Sequence, residues 1–167
     1  MIGWLARLLG RSAPVVGTAP PRSAPSLAPI HAASFNRGWS DQEFEQLLAD
    51  RTVVADRATL GRKTVGFIVS RIAADEAEIL SVAVTRACRG RGLGRDLLMR
   101  NLRRLAGHGV HSVFLEVDED NHSARKLYAR AGFREVGRRE GYYGAASGAK
   151  GAADVRTAAL VLRRDLR

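Results

Sequence analysis

The sequence predicts a mixed α/β domain of the α+β kind, whose mostly antiparallel central sheet is flanked by helices. Three observations lead to this prediction. Runs of β-branched residues separated by short turns fill the first half of the chain, and two amphipathic stretches follow. A glycine-rich loop joins these two regions, so a strand–loop–helix–strand unit lies at the centre of the domain.

Length and composition restrict the class of protein. The 167 residues, 46% of them hydrophobic, suit one domain with a real core. The net charge of +10 is compatible with nucleic acid, anionic lipid or a phosphorylated cofactor. Cys88 is the only cysteine, which excludes an internal disulfide and favours a reducing, cytoplasmic setting. The histidines and the cysteine do not have the spacing of metal ligands, so we expect no bound metal. No apolar run approaches the roughly 18 residues of a membrane span, so we expect no membrane-spanning segment.

The N-terminal residues 1–36 are predicted to be a disordered tail, and residues 37–167 are predicted to be the folded domain. Residues 1–40 contain no Asp, Glu or Lys, and they hold all five prolines. Such a composition is typical of linkers and tails. An acid-free start that contains Arg and Ser also resembles a transit peptide, so both interpretations stay open.

Order is expected to begin near Trp39. Ser40 and Glu43 have the spacing of a capping box, which predicts a helix from this point. Three runs rich in β-branched residues then predict an antiparallel meander, at 52–56, 63–72 and 77–84.

The second half of the chain predicts two helices and three strands. Leu98, Leu102 and Leu105 recur at helical spacing, and Asn121 and Gly132 suit the two ends of a second helix. The remaining runs predict strands at 112–119, 133–140 and 155–164.

The segment CRGRGLGRDLL, residues 88–98, is the first candidate binding site. Glycines allow several backbone N–H groups to point at one centre, and a following helix adds its positive N-terminus. The loop therefore predicts a pyrophosphate site, although a solvated turn explains the loop alone equally well. A dinucleotide fingerprint fits the spacing of Gly90, Gly92 and Gly94 poorly, and an RNA-binding RGG segment would be repeated and disordered.

Glu116 and Tyr128 are the candidate acid–base pair. Strand alternation places Glu116 on the face opposite Leu115, and partial burial there would make its carboxylate a better general base. Helical spacing turns Tyr128 inward. The alternatives are that Glu116 is an exposed glutamate on a strand and that Tyr128 is a tyrosine of the core. Cys88 is a poor candidate nucleophile, because no histidine within the motif could activate it.

Taken together, these features resemble the GNAT superfamily of acetyl-CoA-dependent N-acetyltransferases. Arg89-x-x-Gly92-x-Gly94 is similar to the R/Q-x-x-G-x-G/A pyrophosphate loop of that superfamily, and it lies between a strand and a helix. FLEV at 114–117 and A-x-x-L-Y-x-x-x-G-F at 124–133 add to the resemblance. The resemblance runs from about residue 39 to residue 162 and implies a GNAT-like acyl-CoA N-acyltransferase fold.

The resemblance also implies site residues. Glu116 would be the general base and Tyr128 the general acid, with acetyl-CoA as co-substrate and no metal. The implied acetyl-CoA contacts are Val82, Ala83, Val84, Arg89, Gly90, Arg91, Gly92, Leu93, Gly94 and, near the pantetheine, Asn121.

Four segments resemble the RimI-type ribosomal-protein alanine N-acetyltransferases: GWSDQEF, FLEV with ARKLYARAGF, VGRREGYY and AALVL. This likeness implies the N-terminus of a ribosomal protein as partner. The Gly/Ala-rich loop at 144–153 departs from related sequences, which often carry an acidic pair before the last strand. Two alternatives stay open: a GNAT enzyme for another protein or a small amine, and a basic module that binds nucleic acid.

Overall fold

The computed structural model describes residues 13–140 and 158–166. The strands in these ranges are Val15–Thr18 (β1), Val53–Leu60 (β2), Lys63–Ala73 (β3), Glu76–Val84 (β4), Ser112–Asp118 (β5), Arg134–Arg139 (β6) and Ala159–Asp165 (β7). The helices are Ala24–Ala32 (α1), Asp41–Ala49 (α2), Leu93–Gly107 (α3) and His122–Arg130 (α4). The strands form one sheet in the order β1-β2-β3-β4-β5-β7-β6.

The sheet confirms the predicted fold class. β2, β3 and β4 form the expected antiparallel meander, and β7 pairs antiparallel with both β5 and β6. β4 and β5 are parallel, as a helical crossover through α3 requires. Of the described residues, no helix is long and apolar enough to cross a membrane.

The prediction of a disordered tail over residues 1–36 is wrong for residues 15–36, where a strand, a helix and a hydrogen-bonded turn are found. β1 pairs with β2, and α1 buries Leu27 and Ile30 against the sheet. This part of the chain carries few charges because α1 is largely packed into the core. Pro25 is compatible with a helix because it occupies the first turn of α1, where a missing N–H is tolerated. Residues 1–12, where the transit-peptide interpretation also applies, lie outside the described residues.

Two apolar clusters cover opposite faces of the sheet. α3 and α4 pack over the larger cluster, which contains Leu97, Leu115 and Tyr128. α1 and α2 cover the other face, where Phe44 packs with Phe67. β3 lies between the two layers, which explains why its residues 64–70 are all buried rather than alternating.

A buried polar network around Asp56 fixes α3 on the sheet. The Asp56 carboxylate accepts hydrogen bonds from Arg100 Nε at 2.9 Å, Arg104 at 2.8 Å and Asn101 Nδ2 at 3.1 Å. Asn101 in turn accepts from Ser70 Oγ at 2.6 Å. Because these buried groups have partners, the network orients α3 and therefore the loop that precedes it.

β4 and β5 pair at only three positions and then separate. Glu76–Glu78 pair with Ser112–Phe114, and no further pairs join the two strands. Leu80 has no partner in β3, because the register shifts there and leaves it in a bulge. Since a bulge bends and twists a strand, it accounts for the divergence of β4 from β5. A gap therefore opens between the C-terminal halves of these strands.

Candidate active site

The predicted pyrophosphate loop connects β4 to α3. Arg86–Cys88 form a short 3-10 turn, and Gly92 is the N-cap residue of α3 with φ +83°. Gly90 also has a positive φ of +72°. L-residues with side chains rarely adopt this conformation, so the backbone path favours glycine at both positions.

The N-terminus of α3 presents unused hydrogen-bond donors. The first intrahelical bond runs from Asp96 N to Gly92 O, so the N–H groups of Leu93, Gly94 and Arg95 have no partner inside the helix. No side chain caps Gly92, and apart from its two neighbours in the chain no residue comes within 4 Å of the position that a Cβ would take there. Open space, free N–H groups and the positive helix end together form a cradle that fits a phosphate group.

Cationic side chains lie on the loop itself and in a groove beside it. Arg91 and Arg95 are exposed beside it, and a groove of about 800 Å³ between α1 and the loop is lined by Arg62, Lys63 and Arg86. Over residues 13–140 and 158–166, none of these five cations lies within 4.0 Å of a carboxylate. Their charge is therefore free to attract a phosphorylated ligand.

The Arg89 side chain is engaged within the protein. Its Nε donates to the carbonyl of Val84 at 2.9 Å, and its guanidinium also lies 3.4 Å from Ser34 Oγ. Arg89 therefore links the end of β4 to the end of α1, and this bond already uses the Val84 carbonyl.

The other implied contacts are two residues of β4 and the residue that precedes α4. Val82 and Ala83 belong to the part of β4 that has separated from β5. Asn121 is the N-cap residue of α4, as its position predicted, and its Oδ1 accepts from Ala124 N at 3.1 Å. The role of these three residues in binding acetyl-CoA stays a prediction.

Tyr128 faces inward, as the helical spacing predicted. It is 8% exposed, and its ring packs edge-on against Phe133 with centroids 5.7 Å apart. Burial raises the pKa of Tyr128 to about 12. The phenol therefore keeps its proton over the whole neutral range, and it is a weaker acid than free tyrosine.

Glu116 is more exposed than its expected role assumed. Its side chain is 39% exposed, and Oε1 lies 3.3 Å from Arg139 Nε. Local sequence patterns did not point to Arg139, because the contact crosses β7 and depends on the register of three strands. The ion pair is exposed and therefore weak, and it draws the carboxylate toward β7, on the side of β5 opposite β4.

The two candidate catalytic residues lie on opposite faces of β5. Tyr128 packs with Val113 and Leu115 in the cluster under α3 and α4. Alternation directs Glu116 to the other face, which α1 and α2 cover further along the sheet. The two side chains therefore flank β5, which forms one wall of the gap.

The family model described as "Acetyltransferase (GNAT) family" matches residues 24–133. The chain belongs to the acetyltransferase (GNAT) family. The match begins within the segment that composition had assigned to a tail, and it includes Arg89–Gly94, Glu116 and Tyr128. The GNAT resemblance seen in the sequence is thereby confirmed.

Relatives and solved structures agree with this family. The chain is 38% identical over 86 residues to the [ribosomal protein bS18]-alanine N-acetyltransferase of Haemophilus influenzae, covering 52% of this chain and 58% of that protein. The Escherichia coli K12 protein of the same name is 32% identical over 105 residues, covering 63% and 70%. The crystal structure of the Escherichia coli ribosomal-protein-S18-alanine N-acetyltransferase superposes with a TM-score of 0.80 at 25% identity, covering 92% of this chain and 94% of that one.

The likeness to a plant protein shows a shared fold and nothing more. Arabidopsis thaliana NAA60, solved in complex with acetyl-CoA, has a TM-score of 0.75 at 20% identity over 92% of this chain and 98% of that one. Among the described residues, no group of three or more His, Cys, Asp or Glu side chains is arranged to hold a metal ion. The last two residues of the VGRREGYY segment, Tyr142 and Tyr143, and the loop 144–153 lie outside the described residues.

Proposed function

We propose that this GNAT protein transfers the acetyl group of acetyl-CoA to the N-terminal α-amine of a protein in the cytoplasm. The acceptor is the N-terminal alanine of a small-subunit ribosomal protein. One observation carries the proposal: a gap between β4 and β5 that has the phosphate cradle of α3 nearby and Glu116 and Tyr128 on the two faces of its β5 wall. The likeness to the two bacterial bS18-alanine N-acetyltransferases supports the choice of acceptor.

Acetyl-CoA would bind along β4 with its pyrophosphate at α3. The N–H groups of Leu93, Gly94 and Arg95 would donate to the phosphates, with Gly90 and Gly92 leaving room for them. The backbone of 82–84 would contact the pantetheine in the gap, and Asn121 would lie beside it. Arg91 and Arg95 would neutralise phosphate charge.

The acceptor amine would attack the thioester carbonyl directly, and the carbon–sulfur bond would then break. An α-amine has a pKa of about 7.7–8.0, so an appreciable fraction is already neutral near pH 7.5. Glu116 would accept the proton that the attacking nitrogen loses. Holding the two substrates in line would supply much of the rate, without a covalent enzyme intermediate.

Tyr128 would act on the departing sulfur. A CoA thiol resembles cysteine, with a pKa of about 8.5, whereas the pKa of Tyr128 is about 12. Complete proton transfer from this phenol to the thiolate is therefore uphill by about 5 kcal/mol at 1.36 kcal/mol per pKa unit. We infer that Tyr128 serves as an acid chiefly by donating a strong hydrogen bond while negative charge develops on sulfur.

The test is acetyl transfer by the full chain. The protein is mixed with acetyl-CoA and a peptide that begins with alanine, and free CoA is measured with a thiol reagent. Mass spectrometry should place one acetyl group on the N-terminus, and the same peptide with a blocked N-terminus should give no CoA above background. A panel of lysine peptides and small amines distinguishes the acceptors. If none of the tested peptides and amines gives release of CoA above background, the proposal is overturned.

A further inference from the structure

The segment between α1 and α2, residues 33–40, is fastened by His31. This histidine lies in the last turn of α1 and is only 4% exposed. Its Nδ1 accepts a hydrogen bond from the backbone N–H of Trp39 at 3.1 Å. Its carbonyl accepts from the N–H groups of Ser34 and Phe35. One residue therefore contacts both the beginning and the end of the segment.

Aromatic rings enclose the imidazole of His31. Phe35 and Trp39 each lie with ring centroids 4.4 Å away, and the Trp39 ring is nearly parallel at 16°. Phe44 contacts the imidazole edge-on at 5.6 Å, and Phe67 of β3 lies at 6.2 Å. The ring is therefore held from α2, from the sheet and from the segment itself.

The His31 site favours an uncharged ring. Burial lowers the pKa of His31 from its ordinary value, and the nearby carboxylate of Glu43 in α2 opposes this only in part. Arg37 pairs with Glu43 at 3.0 Å. The Nδ1 atom must be unprotonated to accept the Trp39 N–H, so the neutral form is the one that the hydrogen bond requires.

The fastened segment and the strand that borders the gap share one apolar cluster. Trp39 packs in the same cluster as Leu80 and Ala83 of β4. This is the face of the sheet to which Glu116 also points, because Val113 and Leu115 occupy the opposite face. Ser34 of the segment is also the residue that Arg89 of the cofactor loop contacts.

We propose that the α1–α2 segment forms one wall of the gap and that His31, by fastening this segment, is a positioning residue for the acceptor. The inference rests on the proposed function in one respect, namely that the acceptor amine approaches Glu116. Nothing in the sequence pattern marked His31, since its partners become neighbours only when α1 packs on the sheet.

Two substitutions separate the hydrogen bond from the ring. His31→Phe keeps an aromatic side chain but cannot accept from Trp39 N–H, whereas His31→Asn places an acceptor near the position of Nδ1 without the ring. We expect His31→Phe to raise the KM for the acceptor about tenfold, the equivalent of one lost hydrogen bond, and to leave the Kd for acetyl-CoA within about twofold. His31→Asn should restore the KM to within about threefold of the wild-type value.

Fluorescence gives a readout that does not depend on activity. In a Trp4→Phe background Trp39 is the only tryptophan. His31→Phe should make Trp39 more accessible to acrylamide, and His31→Asn should restore its protection. His111→Phe is the matched control, because His111 is 61% exposed and far from the segment in sequence, and neither readout should change.

Each outcome decides a different point. Wild-type quenching in His31→Phe would show that His31 does not hold the segment and would overturn the inference. Altered quenching with an unchanged KM for the acceptor would overturn the positioning role. A wild-type protein that acetylates no acceptor would overturn the proposed function and the positioning role together, whereas the quenching result would still decide whether His31 fastens Trp39.

Discussion

Arg139 of β6 reaches across β7 to Glu116 of β5, with 3.3 Å between Nε and Oε1. Glu116 is in register with Val161 of β7 and Gly137 of β6, so neither of these positions carries a long side chain, and Arg139 lies two residues further along β6. The long arginine side chain therefore lies over β7 and draws the Glu116 carboxylate toward β7, on the side of β5 opposite β4. This relationship bears directly on the test of Glu116.

Replacing Glu116 with Gln should lower kcat about 100-fold or more, because a general base typically contributes that much. The amide keeps the size of the side chain, so the Kd for acetyl-CoA by calorimetry should stay within about twofold. Glu135→Gln, an exposed glutamate on β6, is the control and should keep wild-type kcat. Wild-type turnover in Glu116→Gln would remove Glu116 from the mechanism.

Tyr128→Phe should also lower kcat about 100-fold, because the developing thiolate loses its hydrogen bond.

The effect of Tyr128→Phe on the free energy of unfolding should depend on pH. The pKa of Tyr128 is raised from 10 to about 12, so between these values the unfolded chain is ionised and the folded chain is not. Stability of the wild type should therefore fall as pH rises above about 10. In urea unfolding, the free energy of unfolding of Tyr128→Phe should therefore fall less above pH 10 than that of the wild type. The same dependence on pH in both proteins would argue against a buried phenol.

Gly92→Val should abolish measurable acetyl-CoA binding. A β-branched residue at φ +83° is strained, and its side chain would occupy the space kept open at the N-terminus of α3. Gly107→Ala, near the other end of α3, has no neighbour within 4 Å of the new Cβ and should bind normally. The measurement is the thermal shift produced by acetyl-CoA, and an unchanged shift in Gly92→Val would contradict the phosphate cradle.

Acid should destabilise the protein through His31. Its pKa is depressed in the folded state, so below about pH 6.5 the unfolded chain takes up a proton that the folded chain does not. The contribution of neutral His31 to the free energy of unfolding is therefore complete above that pH, and it declines as the pH falls toward the pKa of His31 in the folded protein. His31→Phe removes the titrating group, so its urea midpoint should change less between pH 7 and pH 5 than that of the wild type. Equal changes in the two proteins would contradict a buried neutral imidazole.

Asp56→Ala should lower the free energy of unfolding by about 3 kcal/mol, because it removes the buried partner of Arg100, Arg104 and Asn101. Asp75→Ala is a matched control, since Asp75 is 67% exposed and its pairing with His111 is worth at most about 1 kcal/mol. Urea unfolding of both variants provides the comparison. A loss for Asp56→Ala as small as that for Asp75→Ala would show that the network does not anchor α3.

Local signals in the sequence predicted much of the fold. The capping box is present as expected, with Ser40 N donating to Glu43 Oε2 at 2.8 Å and Glu43 N to Ser40 Oγ at 3.2 Å. Runs of β-branched residues located the meander, although β2 extends to Leu60, four residues beyond its predicted end. These features depend on neighbours a few residues apart, which a single sequence displays.

Long-range relationships were less accessible. Val15 pairs with Thr59, 44 positions later, so the composition of residues 1–36 alone could not reveal β1. The exposure of Glu116 and its contact with Arg139 depend on the order β5-β7-β6, which no local pattern encodes. The inward direction of Tyr128 was predictable from helical spacing, whereas the rise in its pKa required knowledge of what surrounds it.

The divergence of β4 from β5 leaves an internal strand with the character of a sheet edge. Backbone N–H and C=O groups on one side of residues 80–84 lack β5 as a partner, and unpaired strand edges recruit strands from other chains. A ligand lodged in this opening would shield the strand from such pairing. The protein without its co-substrate should therefore be the form more prone to self-association, so supply of acetyl-CoA would influence how long the enzyme remains usable as well as how fast it works.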